Sequence, residues 1–307
     1  MKRKVLVALS TFGEHGEVPL KMLQKADFEI KFNKTGHRLN REEVVELGSD
    51  AEGIIAGLEP YDDHVLEKLN KLSCISRCGV GIDNISLEKA KQKGITILNT
   101  PEAVIQPVAE LTVAMIFDLL RKLTLHTELM RAKKWERKTG YLLAGKTIGI
   151  LGLGRIGKRV AEILLKLGTK VYAADVQPDK AWAAQNGVEV VAIDEVLSRC
   201  DILCLHLSVQ GESPFCLGKK EIDKMKKGAM VVNVSRGQFI DEKALASALR
   251  NGHLSGAALD VFIEEPYHGE LCALPNVVLT PHIASLTEEA RLEMEIQATE
   301  NLIKFFK

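Results

Sequence analysis

The sequence predicts an α/β protein built from two doubly wound parallel-sheet domains. Three observations carry this. Short apolar runs alternate with charged amphipathic stretches from residue 4 to 98. The alternation breaks over residues 106–136, which hold no strand signal. It resumes at residue 147 and runs to 282. Such a βαβ rhythm implies parallel strands with helices on both faces of the sheet.

In the first part, KVLVAL (4–9), EGIIAG (52–57), SCISRCG (73–79) and ITIL (95–98) read as strands. Residues 60–72 and 86–94 read as helices between them, and Gly94 stops the second. The start of 106–136 is apolar around most of its circumference. One or two long helices buried against something else, such as another subunit, are expected there. The charged stretch MRAKKWERKTG (130–140) reads as a surface loop. The second part offers seven strand candidates: TIGILGLG, KVYAADV, VEVV, DILCLHL, AMVVNVS, GAALDVF and NVVLTPH. Helical patterns at 157–168, 192–200 and 241–252 separate several of them, and 287–307 reads as a closing amphipathic helix.

Composition limits the function. The chain has 307 residues, 46% apolar and 27% charged, an ordinary globular balance. Its 41 basic and 41 acidic side chains cancel, which argues against nucleic acid as a partner. No apolar run approaches the roughly 20 residues of a membrane span. The start, MKRKVLVALSTFGEHG, has too short an apolar run for a signal peptide and reads as a first strand. The six cysteines include no C-x-x-C, and neither Cys74/Cys78 nor Cys200/Cys204 has a histidine at ligand spacing. Reduced, buried thiols, no metal and a cytoplasmic location are the expectation.

Gly152, Gly154 and Gly157 form a G-x-G-x-x-G between the strand TIGIL and the helix KRVAEILLKLG. Gly152 would allow a tight turn, Gly154 the approach of a pyrophosphate, and Gly157 close helix–strand packing. The helix N-terminus, from about Arg155 and Ile156, offers N–H groups and a positive dipole end. Asp175 ends the next strand. An acid there can accept both ribose hydroxyls and repels a 2′-phosphate, which favours NAD over NADP.

Arg236, Glu265 and His282 each stand at or just beyond the C-terminal end of an apolar run. That edge of an open α/β sheet is where ligands bind. Arginine can fork two donors onto a carboxylate or ketone, and histidine can move a proton near neutrality. A carboxylate beside the histidine favours its protonated form. With NAD, these groups suit hydride transfer between nicotinamide and a 2-keto/2-hydroxy acid.

The chain resembles the D-isomer-specific 2-hydroxyacid dehydrogenases, and within them the 3-phosphoglycerate dehydrogenase branch in a short form without a regulatory domain. The stretches CGVGIDNISLEKAKQKGI, KWERK, GKTIGILGLGRIGKRVA, NVSRGQFIDEKAL, GAALDVFIEEP and LTPHIAS carry the resemblance. It implies a Rossmann NAD domain at 101–285, including dimerisation helices at 106–136. This domain would be inserted into a flavodoxin-like substrate domain at 1–100 and 286–307, with a cleft that closes on substrate. Arg236 would bind the substrate carboxylate and carbonyl, His282 would be the acid/base, and Glu265 would tune it. Asp260 would hold the nicotinamide carboxamide. Leu207, Val234, Ser235 and Val80 would touch the cofactor. The backbone of Cys78, Gly79, Val80 and Gly81 would meet the substrate carboxylate.

Arg77 matches an arginine that binds phosphorylated substrate in phosphoglycerate dehydrogenases, so 3-phosphoglycerate/3-phosphohydroxypyruvate and serine biosynthesis are expected. Glyoxylate/hydroxypyruvate and D-lactate-type reductases are the enzymic alternatives. An NAD-sensing co-repressor-like protein is the alternative from another class. Departures from the family pattern are Glu102 and Val104 in NTPEAV, Ser208 and Gln210 in LSVQ, and Ala56, Gly57 and Leu58 where a second basic residue is expected.

Overall fold

The structure, a computed structural model, describes residues 2–209 and 215–307; Gln210 lies outside them. The chain divides into two compact units. Unit 1 runs up to Val104 and takes in Ser285–Lys307, and unit 2 is Ile105–Ala284.

Among the described residues, unit 1 holds a five-stranded parallel sheet. Its strands are β1 (Lys4–Val7), β2 (Glu29–Phe32), β3 (Gly53–Ala56), β4 (Cys74–Arg77) and β5 (Thr96–Leu98), in the order β2-β1-β3-β4-β5. This is the flavodoxin-like order. Strands β3 and β4 are buried along their whole length, which is why they read as continuous apolar runs. Strand β2 was not legible. It is an edge strand, EIKF, whose residues are exposed or half-buried, so no apolar run marks it.

The helix Glu288–Phe306 belongs to unit 1 although it ends the chain. Thr287 caps it, accepting from Ala290 N at 3.2 Å. Ser76 Oγ donates to Ala298 O at 2.7 Å, and the buried Glu295 carboxylate accepts from Gly13 N at 2.8 Å. Leu302 packs on Gly53, where an added Cβ would stand 2.9 Å from Leu302 Cδ1.

Unit 2 carries a seven-stranded parallel sheet among the described residues. Its strands are β6 (Thr147–Leu151), β7 (Lys170–Ala174), β8 (Val188–Val190), β9 (Ile202–Leu205), β10 (Ala229–Asn233), β11 (Leu254–Leu259) and β12 (Val277–Leu279). The order is β12-β11-β10-β9-β6-β7-β8. Strands β8-β7-β6-β9-β10-β11 follow the Rossmann order, and β12 adds a seventh strand beside β11. The seven strand candidates of the second part all form.

The strandless region is two helices, Ile105–Arg121 and Leu123–Arg131, parted by Lys122 in the left-handed conformation. The first buries Ala109, Ile116 and Leu120, and the second buries nothing within the chain. The second helix also takes in Met130 and Arg131, so the expected surface loop starts two residues late, at Ala132. Cys74, Cys78, Cys200 and Cys204 are buried, and burial pushes the first three thiols up to about 12. Cys216 and Cys272 are exposed. No helix among the described residues is long and apolar enough to cross a membrane.

Truncating Leu302 removes a fully buried anchor of the returning helix. Leu302→Ala should cost about 2–5 kcal/mol of stability. Chemical denaturation followed by circular dichroism checks this; an unchanged midpoint would mean the helix is not integral to unit 1.

Candidate active site

The glycine loop leaves β6 in a form that side chains could not follow. Gly152 has φ 93°, and an added Cβ would lie 2.4 Å from His206 O on the neighbouring chain leaving β9. At Gly157 a Cβ would stand 2.0 Å from Gly152 O, so helix and loop touch through bare backbone. Gly154 differs, since a Cβ there would meet nothing within 4 Å. The helix Arg155–Lys166 begins there without a side-chain cap. The N–H groups of Ile156 and Gly157, like the first donors of any helix, have no intrahelical acceptor. An open glycine at an uncapped helix N-terminus fits a pyrophosphate.

Asp175 follows β7 and reaches back to this loop. One carboxylate oxygen accepts from Leu153 N at 2.6 Å and the other from Gln177 N at 2.8 Å. A carboxylate offers about four acceptor positions, so two remain for ribose hydroxyls. The residues present therefore fit the adenosine diphosphate portion of NAD. Leu207 follows β9 and packs against the core of unit 2. Val234 and Ser235 follow β10 and are buried.

Arg236 is placed by its neighbours. The buried Asn233 accepts from Ser235 N at 3.0 Å and Ser235 Oγ at 2.7 Å through Oδ1, and its Nδ2 donates to Arg236 O at 2.8 Å. This is an Asx-type turn that supplies the hydrogen bonds the ended strand no longer makes. Arg236 Nη1 donates to Ser235 O at 2.7 Å. Next comes Gly237, where a Cβ would be 1.9 Å from the carbonyl carbon of Phe262. Glycine thus brings the loop after β10 against the loop after β11.

The loop after β11 holds two acids with different tasks. Asp260 is fully buried. Its carboxylate accepts from Thr280 Oγ1 (2.6 Å), Ile283 N (2.8 Å) and Ala284 N (2.9 Å), while His282 N donates to Asp260 O at 2.9 Å. It therefore clamps the histidine loop, a task the sequence reading did not assign to it. His282 sits at φ 56°, a left-handed conformation that these bonds hold in place. Its Nδ1 lies 2.9 Å from Glu265 Oε2, and Glu265 Oε1 accepts from Phe262 N at 3.2 Å. Nε2 remains as the nitrogen able to exchange a proton. Both side chains are about one-third exposed, at 33% and 39%, so a small molecule can reach them.

Arg77 and the Cys78–Gly81 loop lie in unit 1, at the C-terminal end of β4. Gly79 N donates to Thr100 Oγ1 at 2.7 Å, and Asn99 Nδ2 donates to Val80 O at 2.9 Å. These bonds hold the loop from β5. Val80 is exposed.

Sequence reasoning missed Asn233 and the clamping role of Asp260. An Asn two residues before a Ser at a strand end is a turn signal and could have marked the first. Nothing local marks the second, because its partners lie 20 to 24 residues away. Asp260→Asn would turn one acceptor into a donor facing donors. It should cost about 1–3 kcal/mol and loosen the His282 loop. Amide hydrogen exchange at Ile283 and Ala284 reads this directly; unchanged protection would refute the clamp.

Residues 113–284 match the family model described as "D-isomer specific 2-hydroxyacid dehydrogenase, NAD binding domain". The chain is 40% identical over 259 residues to a D-3-phosphoglycerate dehydrogenase of Methanocaldococcus jannaschii, covering 82% of this chain and 49% of the relative. It thus spans about half the length of that relative. To a glyoxylate reductase of Pyrococcus furiosus it is 34% identical over 99% of this chain and 93% of the relative. Among solved structures, a D-lactate dehydrogenase from Aquifex aeolicus complexed with NAD and lactic acid superposes with a TM-score of 0.86. The two are 27% identical, over 99% of this chain and 95% of that one. The chain belongs to the D-isomer-specific 2-hydroxyacid dehydrogenase family, and unit 2 is its NAD-binding domain.

Proposed function

We propose that the protein is an NAD-dependent dehydrogenase acting on a small D-2-hydroxy acid and the matching 2-keto acid. The observation that carries this is the His282–Glu265 contact at 2.9 Å, which joins the loops after β12 and β11, with β11 the neighbour of the strand β10 that carries Arg236. Bound NAD supplies the two-electron chemistry, as acceptor in one direction and as NADH donor in the other.

The residues of this chain do the rest. Arg236 directs its fork of donors at the substrate carboxylate and carbonyl oxygen. In keto-acid reduction, His282 gives the proton on Nε2 to the carbonyl oxygen, and in oxidation it takes that proton back. Glu265 accepts from Nδ1–H and fixes the ring and its tautomer, so that Nε2 is the nitrogen that carries the exchanged proton. The Val80 and Gly81 N–H groups are offered to the carboxylate. Asp175 accepts the ribose hydroxyls and disfavours a 2′-phosphate through like charge. Asp260 positions the histidine loop.

Arg77, taken alone, favours a phosphorylated tail, and so 3-phosphohydroxypyruvate. The near full-length likeness to glyoxylate reductases supports short unphosphorylated acids. A homodimer is favoured by the large apolar side chains left exposed along one stretch: Phe117, Leu123, Met130, Trp135, Tyr141 and Leu142. An NAD sensor would bind the cofactor without needing an imidazole paired to a carboxylate, so the enzymic reading is preferred.

His282→Ala should lower kcat about 10²–10⁴-fold, while NADH binding, followed by fluorescence titration, persists. Wild-type protein that oxidises NADH with no 2-keto acid would sink the enzymic reading. Asp175→Ala should narrow the preference for NAD over NADP, measured as the ratio of kcat/KM values; an unmoved ratio removes the role given to Asp175.

A further inference from the structure

Glu265 has to meet His282 from a segment that burial does not hold. Residues 263–266 are exposed along their whole run, and Ile263 is 65% exposed. Apolar packing stops at the buried Phe262. The Tyr267 ring stacks on the Phe262 ring, with centroids 4.3 Å apart and planes at 17°. The Tyr267 hydroxyl accepts from Leu271 N at 3.4 Å. The residues between these two rings carry Glu265. Ordering an exposed backbone costs conformational entropy that apolar burial does not offset here, so a polar anchor has to hold it.

Glu242 supplies that anchor. Its Oε1 accepts from Ile263 N at 3.0 Å, across 21 residues of chain. Glu242 is the first residue of the helix Glu242–Arg250. Asp241 caps that helix, accepting from Lys243 N and Ala244 N, both at 3.0 Å. With the helix end served by Asp241, the Glu242 carboxylate reaches the loop after β11 instead. A bond from an N–H to a carboxylate is charge-assisted and stronger than a neutral one. The helix follows Arg236 after one short turn, Gly237–Phe239. The loop after β10 therefore meets the loop after β11 twice. Backbone lies on backbone where Gly237 faces Phe262, and the Glu242 carboxylate holds Ile263 N. From there Phe262 N donates to Glu265 Oε1 at 3.2 Å, and Glu265 Oε2 lies 2.9 Å from His282 Nδ1.

We propose that Glu242 is a positioning residue for the acid/base pair, acting through Glu265. By holding Ile263 N it fixes the backbone from which Glu265 reaches His282. It also ties that backbone to the loop that carries Arg236. In the reaction above, Arg236 and His282 address the same carbonyl oxygen, so a small drift between their loops lowers the rate steeply. Glu242 needs no contact with substrate or cofactor for this task. The inference rests on the dehydrogenase reading, because it assigns a task within that reaction.

The test measures kcat and KM with NADH on wild type, Glu242→Asp, Glu242→Ala and Glu242→Gln. The substrate is whichever of glyoxylate, pyruvate, hydroxypyruvate and 3-phosphohydroxypyruvate wild type turns over fastest. Aspartate keeps the charge at the helix start but falls one methylene short of Ile263 N. Glu242→Asp should therefore lower kcat about 10–100-fold, as should Glu242→Ala. Glutamine keeps an acceptor at the right reach, and Glu242→Gln should hold kcat within about threefold of wild type. NADH affinity, from fluorescence titration, should be the same in every variant. If Glu242 only stabilised the start of its helix, Glu242→Asp would be the mild change and Glu242→Gln the harmful one. That order overturns the proposal. In a Glu265→Gln background, Glu242→Asp should cost less than about twofold more, because the two residues act as a unit. Full additivity overturns it. Should Glu242→Ala fail to fold, the aspartate and glutamine variants still decide. Amide exchange at Ile263 in wild type at the rate of an unstructured chain overturns it without any variant. In each of these cases wild-type turnover leaves the dehydrogenase reading standing. No turnover of any of these acids fails that reading, and this inference with it.

Discussion

A parallel sheet covered on both faces leaves polar chemistry only the ends of its strands. Val231 and Val232 point to opposite faces of β10, and both are fully buried. A charge placed in mid-strand would lose water on either side. In unit 2 every group assigned to chemistry therefore follows a strand: the glycine loop after β6, Asp175 after β7, Arg236 after β10, Glu265 after β11 and His282 after β12. Because the strands are parallel, these ends share one edge.

Strand ends gather the groups but do not aim them. Aiming falls to buried polar side chains that take over the hydrogen bonds of the ended ladder. Asn233 shapes the Arg236 turn with three such bonds, and Asp260 fastens residues 280–284. A buried carboxylate without partners would be costly, so Asp260 and its loop specify each other. Glycine does the complementary work where two backbones must touch, at Gly157 on Gly152 and at Gly237 on Phe262. Glu265 can then meet His282 without either being buried.

Unit 1 follows the same rule with other chemistry. Its edge carries the buried Arg77 over Gly79 after β4, and the buried Glu59 in the segment after β3.

The fold was legible where burial is continuous or spacing is local. Strands such as GIIA and AMVVN read as apolar runs because both faces are covered. The glycine loop read from its spacing, and Arg236, Glu265 and His282 read from their places after such runs. Strand β2 did not read, because an edge strand with half-exposed residues has no such run. The helix Lys180–Asn186 and the short helix Lys219–Ile222 also escaped, each too short to build an apolar period.

The sequence by itself determined the α/β class, the cofactor loop and the set of chemical groups, since these rest on periodicity and offsets within one strand–loop–helix unit. Tertiary structure alone decided which groups meet. His282 and Glu265 are 17 residues apart, and Asp260 and Ala284 are 24 apart. Those meetings depend on strand order and on how closely two loops can approach. Both are set by packing across the sheet, which no local stretch of sequence encodes.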